Sequence, residues 1–347
     1  MDPLDWRTGL TNQHCAGQHH PNPFVLTHGG FQTQIEQTKA ALSSIGVEVE
    51  YLRWWDGDQR GDVIHYFGRP PLSYFQLARG KGIKVVVAEL MTAVGSRGPL
   101  TLLLEKAAIS ICRSTLPSTL TWRFSWDCFR LADACVALTA WEAHVMSYLF
   151  GARPERVHVV PNGVEELFFQ SPPVPRGPWL VCTATITERK RIVELAQAAL
   201  QAQTPLWVVG KPYSESDPYG KRFYQLAKAN PQFIRYEGAI GDRSKLAQVY
   251  RQARGFVLLS TMESLSLSAL EAAACDCPLL LGDLPWARTV FQQSATYCPI
   301  ASPTATARVL RRFYDDAPHL QPPPKPLLWA GVARQLKTVY ESLCQAS

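Results

Sequence analysis

Two glutamates set eight positions apart carry the first chemical signal. Glu263 and Glu271 fall in Thr261-Met262-Glu263-Ser264-Leu265-Ser266-Leu267-Ser268-Ala269-Leu270-Glu271-Ala272-Ala273-Ala274, directly after the apolar run Phe256–Leu259. That order predicts a buried strand, a loop holding Glu263, and a helix holding Glu271 about two turns further on. A carboxylate at such a loop accepts hydrogen bonds from sugar hydroxyls, and a second one takes a ribose diol. Ser264, Ser266 and Ser268 add hydroxyls and free backbone N–H groups at a helix start, a cradle for an anion. The plainer reading stands beside it: Glu263 as a loop residue near a helix N-terminus, Glu271 as a solvated helix glutamate.

A cationic stretch, Glu188-Arg189-Lys190-Arg191, follows the apolar run Trp179–Thr183 and leads into a helix over 192–202. Three cations at a helix start oppose the macrodipole, a placement that makes sense when an anion such as a diphosphate lies close by. A guanidinium there would hold phosphate oxygens two at a time. Asp56-Gly57-Asp58 has the spacing of a carboxylate pair that holds a divalent ion on a diphosphate. With Gly57 and Gly61 around it, a turn is the favoured reading, and no metal is expected. His65, at the end of a strand, reads as a core or rim histidine. Cys275 and Cys277 read as packing residues, because no Cys-x-x-Cys pair exists for zinc or thiol redox work.

Composition narrows the classes further. The 347 residues are 46 % hydrophobic and 18 % charged, which excludes a disordered chain and gives two domains ample core. No apolar run approaches the ~20 residues of a membrane helix, and the first residues lack the pattern of a signal peptide, so a cytoplasmic protein is expected. Residues 1–170 carry 15 basic and 16 acidic side chains, leaving 20 and 13 for the rest. That surplus is spread out and lacks the basic, aromatic-studded stripe of a nucleic-acid binder, so a small anionic ligand accounts for it equally well.

The elements that would position these groups alternate strand and helix. Strands are expected at Phe24–Thr27, Val47–Leu52, Val63–Phe67, Ile83–Ala88, Cys135–Leu138 and Val157–Val160. A second set is expected at Trp179–Thr183, Leu206–Val209, Phe233–Tyr236, Phe256–Leu259 and Leu279–Leu281. Helices are expected at about 32–44 and at 192–202. Such alternation implies parallel sheets covered on both faces. The proline-rich stretches Ser171–Pro178 and Pro318–Pro326 read as linkers. The expected fold is therefore α/β, with two Rossmann-like domains facing across a cleft. The domains are 1–170 and 171–327, with 328–347 as a helix crossing back to the first.

The sequence resembles the retaining GT-B glycosyltransferases of the GT4 type. The resemblance rests on Glu263, seven residues and Glu271 followed by Cys275-Asp276-Cys277-Pro278, and on Gly29-Gly30. It rests also on Val159-Val160-Pro161-Asn162-Gly163-Val164 with Phe168-Phe169, and on Leu328–Tyr340. It implies a nucleotide diphosphate sugar as donor and a hydroxyl acceptor, whether a glycan, a polysaccharide or a lipid-linked sugar. A lipid-linked acceptor would bring peripheral membrane association. By the same resemblance Lys190 takes the family lysine's place on the donor phosphates. The family arginine position is held by Thr185, with Arg189 as the alternative guanidinium. Glu263 falls on the donor sugar, Glu271 on the ribose, and the backbone around Gly238–Ile240 near the base. Leu265 and Ser266 stand where the family has an aromatic residue and glycine, leaving the backbone contacts of Leu265, Ser266 and Leu267 in place. Gly29 and Gly30 form the donor-facing glycine loop, and Asp276 replaces a glycine at the helix end. No first-domain histidine stands after Ile83–Ala88, where Glu89-Leu90 follows. No metal or other cofactor is implied. A nucleotide-sugar epimerase or hydrolase, and a non-catalytic nucleotide-sugar-binding subunit, are the competing readings.

Overall fold

The computed structural model describes residues 7–11, 29–53, 55–117, 124–169, 174–299 and 302–345. The chain divides into two compact units, Met1–Asn162 with Trp329–Ser347, and Gly163–Leu328.

Unit 1 holds β1 (Arg7–Thr11), α1 (Gly30–Ser44), β2 (Glu48–Tyr51), β3 (Val63–Phe67), α2 (Leu72–Gly80), β4 (Lys84–Ala88), α3 (Pro99–Thr115), α4 (Cys128–Leu131), β5 (Ala134–Ala137), α5 (Ala140–Phe150) and β6 (Val157–Val159). The six strands form one sheet in the order β2-β1-β3-β4-β5-β6, parallel throughout. All five residues of β3 are buried, as expected for a central strand covered on both faces. Helix α5 starts where Thr139 accepts the Glu142 N–H and ends at Gly151, whose φ of 74° is the left-handed geometry of a helix stop. The expected strand Phe24–Thr27 lies outside the described residues; β1 is Arg7–Thr11, which the sequence pattern does not single out.

Unit 2 holds β7 (Leu180–Thr183), α6 (Ile192–Ala202), β8 (Leu206–Val209), α7 (Pro218–Ala229), β9 (Ile234–Tyr236), α8 (Arg243–Gln252), β10 (Gly255–Leu258), α9 (Leu267–Ala274), β11 (Leu279–Gly282), α10 (Pro285–Phe291), β12 (Thr296–Cys298) and α11 (Pro303–Asp316). Its sheet runs β12-β11-β10-β7-β8-β9, again all parallel. The strand order reverses between β7 and β10, which makes that pair the switch point where doubly wound sheets take ligands. The final helix, α12 (Trp329–Gln345), returns to unit 1. It buries Trp329, Val332, Ala333, Leu336, Val339 and Tyr340, one apolar stripe at helical spacing, and packs on α1.

The unit division falls at 162/163 and 328/329, whereas the proline stretches predict 170/171 and 327/328. The described part of the first stretch, 174–178, and the second stretch fall in unit 2 and are tied down there. Arg176 donates to the carbonyls of Tyr250, Arg251 and Ala253 at the end of α8, and to those of Cys275 and Asp276 after α9, at 2.7–3.1 Å. Lys325 pairs with Asp276 at 2.8 Å and donates to the Ala274 carbonyl at 2.7 Å. The stiffness read as a spacer is used as a strap over two helix ends.

Candidate donor site at the carboxyl edge of unit 2

Because every strand of unit 2 is parallel, the loops after β7, β8, β9 and β10 emerge on one edge. Gly210 fuses three of them. Its φ is +152°, and a Cβ there would lie 1.9 Å from the Ala184 carbonyl oxygen, so only glycine lets the loops after β7 and β8 approach. The Gly210 N–H donates to Gly238 at 3.0 Å, and Ile186 N–H to Lys211 at 3.1 Å. Thr185 sits half-buried inside this junction, and Ile240 sits half-buried between β9 and α8.

Arg189 and Lys190 lie in a separate 3-10 turn, Glu188–Lys190, ahead of α6. They are therefore not residues of a helix first turn, as their sequence placement predicts. Arg191, left-handed at φ 54°, links the turn to the helix. The turn is stitched to the loop after β10: the Thr261 N–H donates to the Arg189 carbonyl at 2.9 Å, and Arg189 Nη1 to the Met262 carbonyl at 2.7 Å. Glu263 Oε1 then receives both cations, Arg189 Nη1 at 3.2 Å and Lys190 Nζ in direct contact. The Lys190 and Glu263 side chains are only 12 % and 10 % exposed. Burial by itself would push the Glu263 carboxyl up; the Lys190 ammonium and then the Arg189 guanidinium outweigh it and hold it below the ordinary range. The result is an ionised, desolvated cluster of two positive charges and one negative at the switch point, a preorganised seat for a dianion.

Glu271 is not a solvated helix residue. It is buried, and both its oxygens are engaged: Oε1 accepts from Arg243 Nη2 at 2.6 Å and Oε2 from the Tyr250 hydroxyl at 3.0 Å. Burial raises its carboxyl more than Arg243 lowers it. Tyr250 meets the Thr183 hydroxyl in turn, and Arg243 forks onto Glu165. Arg243, Tyr250 and Glu165 escaped the sequence reading. The signal was there for Arg243, a cation in the first turn of α8 just after the Asp242 cap, the same unfavourable placement that singled out Lys190.

Of the three serines read as an anion cradle, Ser266 is the N-cap of α9. Its Oγ accepts the Ala269 N–H at 3.3 Å and lies 3.0 Å from Ser268 Oγ. Ser264 and Leu265 are buried, and Leu267 opens the helix half-exposed. Asp276 adopts φ 55°, the left-handed position that a family glycine would fill. Cys275 and Cys277 are buried, their thiols pushed up by burial to about 11 and about 12. Gly29 and Gly30 belong to unit 1, at the exposed start of α1. Asp56 closes a turn, accepting the Asp58 N–H at 3.0 Å and Arg53 Nε at 3.0 Å.

Two parallel Rossmann-like sheets with a helix returning to the first unit define a GT-B fold. The chain superimposes on sucrose-phosphate synthase from Thermosynechococcus elongatus with a TM-score of 0.69, at 19 % identity over 99 % of this chain and 100 % of that one. It superimposes also on Anabaena HepE in complex with UDP-glucose, with a TM-score of 0.62 at 13 % identity over 98 % of each chain. Residues 177–316 of unit 2 match the family described as glycosyl transferases group 1. The D-inositol 3-phosphate glycosyltransferase of Jonesia denitrificans is 31 % identical over 211 residues, 53 % of this chain and 49 % of that protein. The chain spans about half the length of the curated relatives it matches.

Proposed function

We propose that the protein is a retaining glycosyltransferase that moves a sugar from a nucleotide diphosphate sugar, held by unit 2, to a hydroxyl acceptor, held by unit 1. The observation that carries this reading is the convergence of Lys190 and Arg189 on Glu263 at the switch point of a GT4-type domain. Lys190 and Arg189 offset the charge that grows on the diphosphate as the glycosidic bond breaks. Glu263, kept ionised by those cations, accepts hydrogen bonds from the donor sugar and orients it. Glu271 faces the ribose, and the backbone of Leu265–Leu267 and Gly238–Ile240 faces the phosphates and base. No side-chain nucleophile is needed, since the donor phosphate takes the acceptor's proton as the new bond forms on the face the leaving group vacates. The two cations do the work that a divalent ion does elsewhere, so metal is not required.

The acceptor is a glycan, a polysaccharide or a lipid-linked sugar, and the protein works in the cytoplasm, against a membrane in the lipid-linked case. Among the described residues no helix is long and apolar enough to cross a membrane. Peripheral contact is supported by α3, whose Leu100, Leu103, Leu104 and Ile111 are all exposed.

Thermal-shift screening of nucleotide diphosphates and their sugars tests the reading, because a ligand of the folded state raises its stability. Transfer is then followed on an acceptor panel, with NMR of the product anomer and a parallel reaction in chelator. An inverted product removes the retaining mechanism, and loss of turnover in chelator removes metal independence. Binding without turnover on any acceptor marks a binding subunit instead.

A further inference from the structure

Arg243 has no counterpart in the roles above, yet it is ion-paired to two carboxylates at once. Nε bonds both oxygens of Glu165 at 3.1 Å, Nη2 reaches Glu165 and, at 2.6 Å, Glu271, and the guanidinium lies 4.8 Å over the Phe168 ring. Among the described residues Nη1 makes no hydrogen bond, and 34 % of the side chain is exposed. Tyr250, two turns along the same face of α8, holds the other oxygen of Glu271. A carboxylate offers about four lone-pair sites, so two remain once Arg243 and Tyr250 are served. With both oxygens anchored, those two sites point in fixed directions.

We propose that Arg243, seated on Glu165, is the positioning residue of the nucleotide site: it aims the free lone pairs of Glu271 at the vicinal hydroxyls of a ribose and sets Nη1 beside them. The inference rests on the reading that unit 2 binds a nucleotide, and it assigns ribose discrimination to a pair, Arg243 and Glu165, rather than to Glu271 alone. A single charge-assisted bond to a desolvated group changes affinity about tenfold to a hundredfold.

Isothermal titration with UDP, GDP and ADP, and with the 2′-deoxy form of the tightest binder, tests it on the full chain. Arg243→Met should weaken the ribonucleotide about tenfold or more and the 2′-deoxynucleotide far less, so that the preference collapses. Arg243→Lys, which keeps charge but not the fork, and Glu165→Gln, which loosens the seat, should each collapse it in part. A second readout is pH. The titratable and charged groups facing Glu271 are Arg243 and Tyr250 from α8 and Glu165 from the segment after Asn162. Without the guanidinium the Glu271 carboxyl rises further, so ribonucleotide affinity should fall away at a higher pH in Arg243→Met than in the parent. Circular dichroism checks the fold, and if the Met variant unfolds, the Lys and Gln variants decide. Equal loss for both sugars, or an unchanged ratio and pH midpoint, overturns the inference and leaves the nucleotide site standing. Absence of binding by the parent protein to all three nucleotides overturns the site reading and this inference with it.

Discussion

The Lys190 ammonium is seated on Glu263 Oε1 although the two residues stand 73 positions apart in the chain. The contact joins the loop after β7 to the loop after β10 and makes one side chain answer for two cations. Glu263→Gln removes the charge and keeps the shape, and Lys190→Ala removes the partner; each should cut turnover about tenfold to a thousandfold. Glu263→Ala also strands the Lys190 charge, at a stability cost on the order of 3 kcal/mol in urea titrations. Because the folded-state carboxyl is held below its ordinary 4.5, the stability it contributes is present above that pH and is lost as pH falls through the lower folded value. Near-parental turnover by both Glu263→Gln and Lys190→Ala would end the assignment.

His65 should govern the acid stability of unit 1. Its Nδ1 lies 2.6 Å from the Tyr340 hydroxyl, its ring stacks on Phe67, and its buried Nε2 has no hydrogen-bond partner among the described residues. Burial drops its pKa from 6.5 to about 3. The unfolded chain therefore binds a proton below 6.5 that the folded unit refuses, so stability declines as pH falls from there towards 3, by about 1.4 kcal/mol per unit. Urea titrations between pH 7 and pH 5 should show a steeper fall in the parent than in His65→Gln, the raised Glu89 and Glu271 carboxyls contributing equally to both. Equal slopes would mean another group sets it.

Where one physical term dominates, the sequence and the structure agree. The apolar stripe of α6 and the β-branched run of β4 carry their own boundaries, and strand and helix alternation was enough for two parallel sheets. Glu263 and Lys190 were legible because a charge at a strand end or helix start has few structural reasons to be there. The three-residue β12, Thr296–Cys298, has too little apolar content to stand out, and β1 comes from a mixed segment that pairs only because β2 and β3 flank it. The partners of Glu271 depend on which loops a fold brings together, and spacing along the chain does not contain that.

Arg176 shows the same limit, since a proline-rich stretch gave no hint of its five carbonyl acceptors. Helix ends leave their last carbonyls unpaired, and one guanidinium here serves two such ends. Arg176→Met should lower the stability of unit 2 by about 2–4 kcal/mol, the cost of several lost charge-assisted bonds partly made good by water. Arg176→Lys, with one point charge for five acceptors, should recover less than half. Thermal melts with and without a bound nucleotide measure both; a Lys variant as stable as the parent would remove the fork geometry from the explanation.

Gly210 should be intolerant of a side chain. A Cβ at 1.9 Å from the Ala184 carbonyl oxygen forces the loops after β7 and β8 apart, and φ +152° is strained for alanine besides. Gly210→Ala should cost about 3 kcal/mol or more and displace Thr185 and the turn bearing Lys190, so nucleotide affinity falls with stability. Gly57→Ala, in open space on a surface turn of unit 1, is the control that should change neither. A Gly210→Ala protein of parental stability would mean that the loops can part without loss.

The outward face of α3 should decide peripheral membrane contact. Leu100 is 71 % exposed, Leu104 64 % and Ile111 61 %, at the spacing of one helix face. The single acid of the helix, Glu105, is taken up by an ion pair with Arg97; of its cations, Arg113 pairs with Asp127 at 3.1 Å and Lys106 lies 3.9 Å over the Tyr148 ring. Phe124, stacked 4.6 Å from Trp126, adds an exposed aromatic ring to unit 1. Apolar residues flanked by cations suit the boundary of an anionic bilayer, where insertion of the leucines and attraction of the charges act together. Co-sedimentation with phosphatidylglycerol vesicles should capture the parent protein at low salt. Phosphatidylcholine vesicles should capture it weakly, and Leu103→Asp with Leu104→Asp should abolish capture while leaving nucleotide binding by unit 2 unchanged. Equal capture of parent and double variant would place the contact elsewhere, and no capture of the parent on either vesicle would remove the membrane from the proposal.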